Sequence, residues 1–264
     1  MPLTASGLYW EVIDLRAPWA LPSLPIIMHH GIGTTCDIWS EWLPIVAAFH
    51  RVVRFDTRGF GRSRHCWHDR PTLESLVADV LEVASAAGEQ RFHLIGESLG
   101  GTVAMATALA EPRRVAAVVA SNATHRGTGV ARAKTWRAEL AATGMQRWAD
   151  DMMPARFRPD ADMPPAKRDW FATTQATSSS EAILQLGELL TGLDMSDDVR
   201  RLQAPLLVIS PDDSPFISTA MAAELRDLVP GAQLLVVPGT RHGLPFSHGP
   251  LCAEAARKFL AKIA

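Results

Sequence analysis

The stretch LIGESLGG, residues 94–101, constrains this chain more than any other segment. An apolar run enters a G-x-S-x-G turn and a helical pattern follows at once, which is the context needed to expose a serine above a parallel sheet. The flanking glycines permit a sharp turn, and the helix N-terminus presents backbone N–H groups to a developing oxyanion. Ser98 is therefore the predicted nucleophile, and the Leu99 N–H is one predicted oxyanion donor. Glu97 is expected to face the interior behind the nucleophile and not to act as the base.

The order of apolar runs and helical patterns predicts an α/β fold. Strand and helix signals alternate, which is typical of a mostly parallel sheet covered on both faces. Strands are predicted at 8–14, 25–30, 51–56, 91–96, 114–121, 205–210 and 232–237. Helices are predicted at 38–48, 72–87, 99–110, 218–228 and 250–263.

The alternation breaks between residues 121 and 205, where the sequence offers helical patterns joined by a proline-rich segment. An insertion of that length in a compact fold favours a functional cap over a loop. We therefore predict a core domain of residues 1–122 and 203–264 and a helical cap, or lid, of residues 123–202.

Composition excludes several classes of function. Apolar residues make up 47% and charged residues 20%, with a formal net charge of −2 and no long run of one sign. This balance argues against nucleic-acid binding and membrane anchoring. Three separated cysteines and the absence of a signal-peptide pattern indicate a cytoplasmic location. No sequence signature of a nucleotide site, a metal site or another cofactor is present, so we expect a cofactor-independent protein that takes a small-molecule substrate.

Two further motifs complete a catalytic constellation. The strand IIMHH ends in a glycine-rich turn, 31–33, which makes the Ile32 N–H the second candidate oxyanion donor. The motif GTRHG, 239–243, follows the last predicted strand, and its histidine comes after the serine, as the chain order serine, acid, histidine requires. His242 is therefore the predicted general base, whereas His29 and His30 are expected to be structural.

With these motifs in place, the sequence resembles the α/β-hydrolase superfamily over essentially its whole length. The segment RFDTRGFGRS, 54–63, is similar to the turn after the fourth strand of that fold. Within the superfamily, HGIGTT with Trp39 downstream, SNATHRG and WRAELAATGMQRWAD resemble 3-oxoadipate enol-lactonases and related small esterases. The resemblance implies an eight-stranded, mostly parallel sheet, a cap inserted after the sixth strand and hydrolysis by a serine nucleophile.

The loop LLVISPDDSPF, 206–216, departs from the family pattern. Family members usually carry the triad acid here, in a pattern like G-x-x-D-P that places Ser214 at the aspartate. A hydroxyl cannot supply the negative charge that stabilises an imidazolium. We predict that Asp212 or Asp213 acts instead, and the alternation of side chains in extended backbone favours Asp212. Asn122, directly after the strand predicted at 114–121, is a third candidate that could orient the histidine without charge.

Large apolar side chains and a few cations are the candidates for the substrate pocket. Trp39, Trp136 and Trp148 are predicted to line an apolar pocket above the nucleophile, although most cap aromatic residues are expected simply to pack. Cations just beyond the strand predicted at 114–121 are candidate partners for a substrate carboxylate, namely His125, Arg126 and Arg132.

The leading hypothesis is hydrolysis of a small ester, lactone or related carbonyl compound through an acyl-enzyme on Ser98. Hydrolysis of a carbon–carbon bond in a ring-cleavage product is a second hypothesis, since it would use the same triad. A ligand-binding protein with an impaired triad is a third, and Ser214 is the feature that favours it.

Overall fold

A single seven-stranded sheet organises the chain, and the computed structural model describes residues 2–67 and 70–263 of it. The strand order across the sheet is β1-β3-β2-β4-β5-β6-β7, with only β1 antiparallel to its neighbour. The strands are β1 Trp10–Ile13, β2 Ile26–His29, β3 Val52–Phe55, β4 Phe92–Glu97, β5 Val115–Ser121, β6 Leu206–Pro211 and β7 Gln233–Val237. The predicted α/β class is confirmed.

The strand count corrects the expected eight-stranded sheet. The described residues form seven strands, and the chain before β1 contributes only an isolated bridge between Leu3 and Tyr9. Because one antiparallel strand is missing at this end, the insertion predicted after the sixth strand follows β5 in the observed order. Every strand predicted from the sequence lies within two or three residues of an observed one.

Helices cover both faces of the sheet, because its central strands are fully buried and mostly apolar. They are α1 Leu43–Val46, α2 Leu73–Ala86, α3 Leu99–Ala110, α4 Trp136–Arg156, α5 Pro165–Ala176, α6 Ser180–Gly192, α7 Thr219–Leu228, α8 Leu244–Ser247 and α9 Gly249–Leu260. Short 3-10 turns occur at Cys36–Trp39, Gly61–Cys66, Gly127–Thr135 and Val199–Arg201. Among the described residues, no helix combines the length and apolar character needed to cross a membrane.

The helices α4, α5 and α6 stand between β5 and β6, within the segment predicted as a cap. Helix α4 is interrupted at Gly144, whose φ of +74° is non-helical, and it contains Pro154 near its end. Its C-terminal turn reaches the loop after β7, where the Arg156 carbonyl accepts a hydrogen bond from the Gly243 N–H at 2.8 Å. The end of this helix therefore lies against the residues that follow the last strand.

Candidate active site

The nucleophile turn is the most strongly determined part of the site. Ser98 lies between β4 and α3 with φ of +54°, a left-handed conformation that is costly for a residue with a side chain. The flanking glycines permit the turn, because a Cβ at Gly96 would lie 2.2 Å from the Gly100 carbonyl oxygen. The Ser98 N–H donates to the Ser121 carbonyl at 2.8 Å, which ties the turn to β5. The serine side chain is thereby held above the carboxyl edge of the sheet, half-buried.

The predicted nucleophile and base meet in the structure. Ser98 Oγ lies 3.0 Å from His242 Nε2, within hydrogen-bond distance, although the two residues are 144 positions apart. His242 is 3% exposed, and its ring packs on Phe216 with centroids 4.7 Å apart. The Asn122 side-chain amide donates to the His242 carbonyl, so Asn122 contacts the backbone of this residue and not its ring.

The other ring nitrogen of His242 faces a serine. Ser214 Oγ lies 3.3 Å from His242 Nδ1, at the position where the family pattern places an aspartate. The same oxygen accepts the N–H groups of Phe216 at 3.2 Å and Ile217 at 3.3 Å. A hydroxyl can either donate to Nδ1 or accept from it, whereas a carboxylate can only accept. Ser214 is therefore compatible with both neutral tautomers of His242.

The structure does not bring Asp212 or Asp213 to His242, which corrects the prediction of an acid displaced by one or two residues. The Asp212 carboxylate accepts the N–H groups of Gly239 at 2.9 Å and Thr240 at 3.1 Å, and these bonds lower its pKa. Asp213 points outward to Arg241, with Oδ2 3.0 Å from Nε. The alternation argument for Asp212 fails because the residues after β6 leave the extended conformation and turn.

Two charged residues that the sequence did not assign to the site are buried in it. Glu97 Oε1 lies 3.9 Å from His242 Nε2, and burial raises the pKa of this carboxyl group to about 7. Arg156, at the end of α4, is 4% exposed, and its Nε donates to Gln175 Oε1 at 3.1 Å. The pKa of His242 is lowered well below its usual value, first by burial and then by the positive charge of Arg156.

The two candidate oxyanion donors belong to the residue after Ser98 and to the loop after β2. Leu99 is the first residue of α3, so its N–H has no acceptor within the helix. Ile32 follows β2, and its carbonyl oxygen lies 3.5 Å from Nη2 of Arg156. The Ile32 N–H donates to no other group among the described residues, so both amides are available to an oxyanion.

The predicted pocket residues divide into two groups. Trp136 and Trp148 are buried, pack edge to face at 5.5 Å, and reach the site through Phe216, which lies 6.3 Å from the Trp136 ring. Trp39 is fully buried against Trp42 in the core and makes no described contact with the nucleophile.

The cations predicted to bind a substrate carboxylate do not reach the site. Arg126 is paired with Glu224 of α7, 2.5 Å from its carboxylate, and His125 faces the same glutamate. The Arg132 side chain lies outside the described residues. Arg156, which the sequence pattern did not single out, instead lies close enough to His242 for its positive charge to lower the pKa of that ring.

A family model described as the alpha/beta hydrolase family matches residues 26–255. The chain belongs to the α/β-hydrolase family. The match includes the elbow serine, the loop after β6 and His242, so the fold and a general hydrolytic activity follow from membership. The observed sheet and the position of the inserted helices agree with this assignment.

Sequence relatives of this α/β-hydrolase carry several names. A protein from Caulobacter sp. (strain K31), provisionally named carbamate hydrolase RutD, is 25% identical over 98% of this chain and 97% of its own. A non-heme haloperoxidase from Rhodococcus erythropolis is 29% identical, covering 83% of this chain and 86% of its own.

Solved structures agree on the fold. The enol-lactonase from Burkholderia xenovorans LB400 superposes with a TM-score of 0.84 at 23% identity, covering 96% of both chains. A bromoperoxidase from Bacillus anthracis gives a TM-score of 0.86 at 20% identity, with 97% of this chain and 95% of the other covered. At these identities the similarity establishes the architecture of this hydrolase and leaves its substrate open.

Proposed function

We propose that this hydrolase cleaves a small ester, lactone or related carbonyl substrate through an acyl-enzyme on Ser98. The observation that carries the proposal is the 3.0 Å contact between Ser98 Oγ and His242 Nε2 at a strained strand-to-helix turn. In this mechanism Oγ attacks the carbonyl carbon while its proton passes to Nε2. The N–H groups of Ile32 and Leu99 hold the oxyanion, and water activated by the same histidine then releases the acyl group.

The helices between β5 and β6 act as a lid in this proposal. Trp136 and Trp148 support Phe216 against the His242 ring, and the end of α4 brings Arg156 Nη2 to 3.5 Å from the Ile32 carbonyl oxygen. Water is thereby partly excluded from a site in which charge develops, which strengthens every electrostatic interaction there. No metal or other cofactor takes part in the proposed reaction.

Carbamate hydrolysis is a second candidate, which the sequence relatives favour. Proteins provisionally named carbamate hydrolase match nearly the whole chain at 25% identity. Attack of a serine on a carbamate carbonyl uses the same nucleophile, base and oxyanion donors. Cleavage of a carbon–carbon bond would use them as well. The residues that line the substrate pocket, and not Ser98 and His242, would therefore determine which of these substrates is cleaved.

A substrate panel tests the proposal. Purified protein would be assayed with short-chain p-nitrophenyl esters, small lactones and small carbamates, with release of acid or nitrophenol followed continuously. We expect turnover of at least one class, its loss in Ser98→Ala, and its retention in Ser40→Ala, which changes an exposed serine far along the chain from the elbow. Activity that survives Ser98→Ala would contradict the proposal. Absence of turnover across the panel would direct the same comparison to carbon–carbon substrates and to simple ligand binding.

A further inference from the structure

The site must stabilise an imidazolium in an unfavourable place. When Ser98 attacks, its proton moves to His242, whose ring is buried and close to the positive charge of Arg156. Both features disfavour the protonated ring. The usual remedy is a carboxylate at Nδ1, yet Ser214 offers only a neutral oxygen there. The negative charge that balances the imidazolium must therefore come from another direction.

Glu97 is the carboxylate in position to supply that charge. Its Oε1 lies 3.9 Å from His242 Nε2, and it is the only described residue with a carboxylate oxygen within 4.0 Å of that ring. The residue is 6% exposed, so the charge acts through little water. The fold makes room for it at Gly31, where a Cβ would lie 2.0 Å from Glu97 Oε2.

The groups packed around Glu97 set its ionisation. Burial raises the pKa of its carboxyl group to about 7, while Arg156 from α4, the Gly31 backbone after β2 and the Asn122 side chain after β5 act in the opposite direction. On the neighbouring strand, His29 and His30 are neutral because burial lowers their pKa values. The carboxylate and the guanidinium are thus both buried, and the positive charge of Arg156 favours the ionised form of Glu97.

We propose that Glu97 is a positioning residue that acts through His242, supplying the negative charge that the loop after β6 no longer provides. This inference rests on the proposed function. In the first step the Ser98 Oγ–H bond breaks, its proton binds Nε2, the Oγ–C bond forms, and the carbonyl electron pair moves to oxygen. Glu97 takes no proton from Ser98 and remains ionised during this step. Its Oε1 lies 3.9 Å from Nε2 and places negative charge beside the developing imidazolium, while Arg156 Nη2 donates to the Ile32 carbonyl at 3.5 Å.

The rate of acylation should rise with pH as Glu97 ionises. Above pH about 7 Glu97 is ionised and stabilises the imidazolium, so acylation is faster. As pH falls through that value the carboxylate gains a proton and acylation slows. Titration of His242 does not change the acylation rate in the same pH range, because its own pKa lies well below the usual value of 6.5.

Labelling by a fluorophosphonate tests the inference without knowledge of the substrate, because the probe reacts only with an activated serine. Second-order labelling rates would be measured from about pH 5.5 to about pH 8.5, the range that brackets the group in question. The wild-type rate should rise through about 7, the pKa of the Glu97 carboxyl group. Glu97→Gln should lose that rise and label about tenfold to a hundredfold more slowly at the upper end.

Three variants distinguish the proposed role from a structural one. Glu97→Asp keeps a titrating carboxylate and should keep a rise with pH. Ser214→Asp in the Glu97→Gln background should restore the rate by placing charge at Nδ1. Glu224→Gln removes one negative charge near His125 and Arg126 and should leave the profile unchanged.

A folded Glu97→Gln protein that labels with the wild-type rate and profile would overturn the inference, and so would a flat Glu97→Asp profile at the Glu97→Gln rate. No labelling of the wild type at any pH would instead refute the proposed function. The two failures are therefore distinguishable.

Discussion

The groups that face the two ring nitrogens of His242 are positioned in different ways. On the Nε2 side, Ser98 stands on a turn that a short run of residues determines by itself, with glycines at the tight points and a helix directly after. On the Nδ1 side, the loop after β6 offers two aspartates and a serine, and the serine faces the ring. Local geometry such as the elbow can therefore be predicted from sequence, whereas which of several neighbouring side chains meets the ring depends on partners distant in the chain.

The partners of the two aspartates show why. Asp212 is held by the turn at residues 239–240, and Asp213 is held by Arg241, which also binds the end of α4 through the Pro154 carbonyl at 2.6 Å. Both carboxylates therefore fasten the loop after β6 to the loop after β7. They position the backbone around His242 without contacting its ring.

The largest loss of kcat should come from removing the contact between Ser98 and His242 Nε2. His242→Ala removes the acceptor of the serine proton, and we expect kcat to fall by about 10⁴-fold or more. His248→Ala, at the only other histidine between β7 and the C-terminus, should stay within about threefold of wild type. Steady-state assays on the best panel substrate would measure both. A similar loss in the two variants would remove His242 from its proposed role.

Placing a negative charge beside Nδ1 of His242 should raise activity. Ser214→Asp places an acceptor-only group at Nδ1, fixes the tautomer in which Nε2 accepts the serine proton, and should raise kcat by about tenfold or more. Ser214→Ala is the matched control and should lower kcat by less than tenfold, because only a neutral contact is lost. A Ser214→Asp rate below that of Ser214→Ala would show that the loop cannot use a carboxylate.

Filling the space that Glu97 occupies beside Gly31 should lower activity by moving its carboxylate relative to His242 Nε2. Gly31→Ala places a Cβ 2.0 Å from Glu97 Oε2, so the carboxylate must move. We expect loss of about 1–3 kcal/mol of stability, as for other overpacked buried sites, with a several-fold lower kcat. Thermal denaturation and steady-state assays would measure the two effects. Gly239→Ala is a control with open space at its Cβ, although its φ of +72° adds backbone strain of its own. An unchanged Gly31→Ala rate would mean that the position of the carboxylate does not matter.

The smallest effects are expected at the two aspartates. Asp212→Ala removes two backbone hydrogen bonds and should cost about 1 kcal/mol of stability, since the carboxylate is exposed and screened. The pKa of Asp212 is lowered on folding, so its contribution is fully present above the ordinary value of 3.8 and is lost as pH falls through the lower folded pKa. Denaturation of wild type and variant at neutral and acidic pH would measure it.

Asp213→Ala loses an ion pair whose carboxylate is 51% exposed, and its stability should change by less than about 1 kcal/mol. Neither aspartate variant should change kcat by more than a few-fold. A loss of orders of magnitude in either would reinstate a carboxylate acid from this loop.

Most of the fold could be predicted from the sequence because its signals are local. Buried strands such as VAAVVAS and helices with a clear apolar face lie close to where the pattern places them. The eighth strand was wrong because it came from the family pattern, and the residues before β1 form only a bridge. The positions of the elbow serine and of His242 were also predictable, since each follows directly from the end of a strand, and the two side chains meet in the structure.

The charged residues around His242 could not be predicted in the same way. Glu97 was expected to face the interior behind the nucleophile and not to act as the base, and only the folded chain places its Oε1 3.9 Å from His242 Nε2. Arg156 gave no signal, because its approach depends on how α4 ends against the loop after β7. Arg126 was favoured by its nearness in sequence to β5, but Glu224 on a separate helix binds it.

We propose that Ser98 and His242 form a working catalytic pair although no carboxylate of the described residues contacts Nδ1. Intact-protein mass spectrometry after reaction with a fluorophosphonate, followed by peptide mapping, tests it most directly. We predict one adduct per chain, located on Ser98 and absent from His242→Ala, with Ser214→Ala still labelled. An unlabelled wild-type protein, or an adduct on a different residue, would contradict the claim.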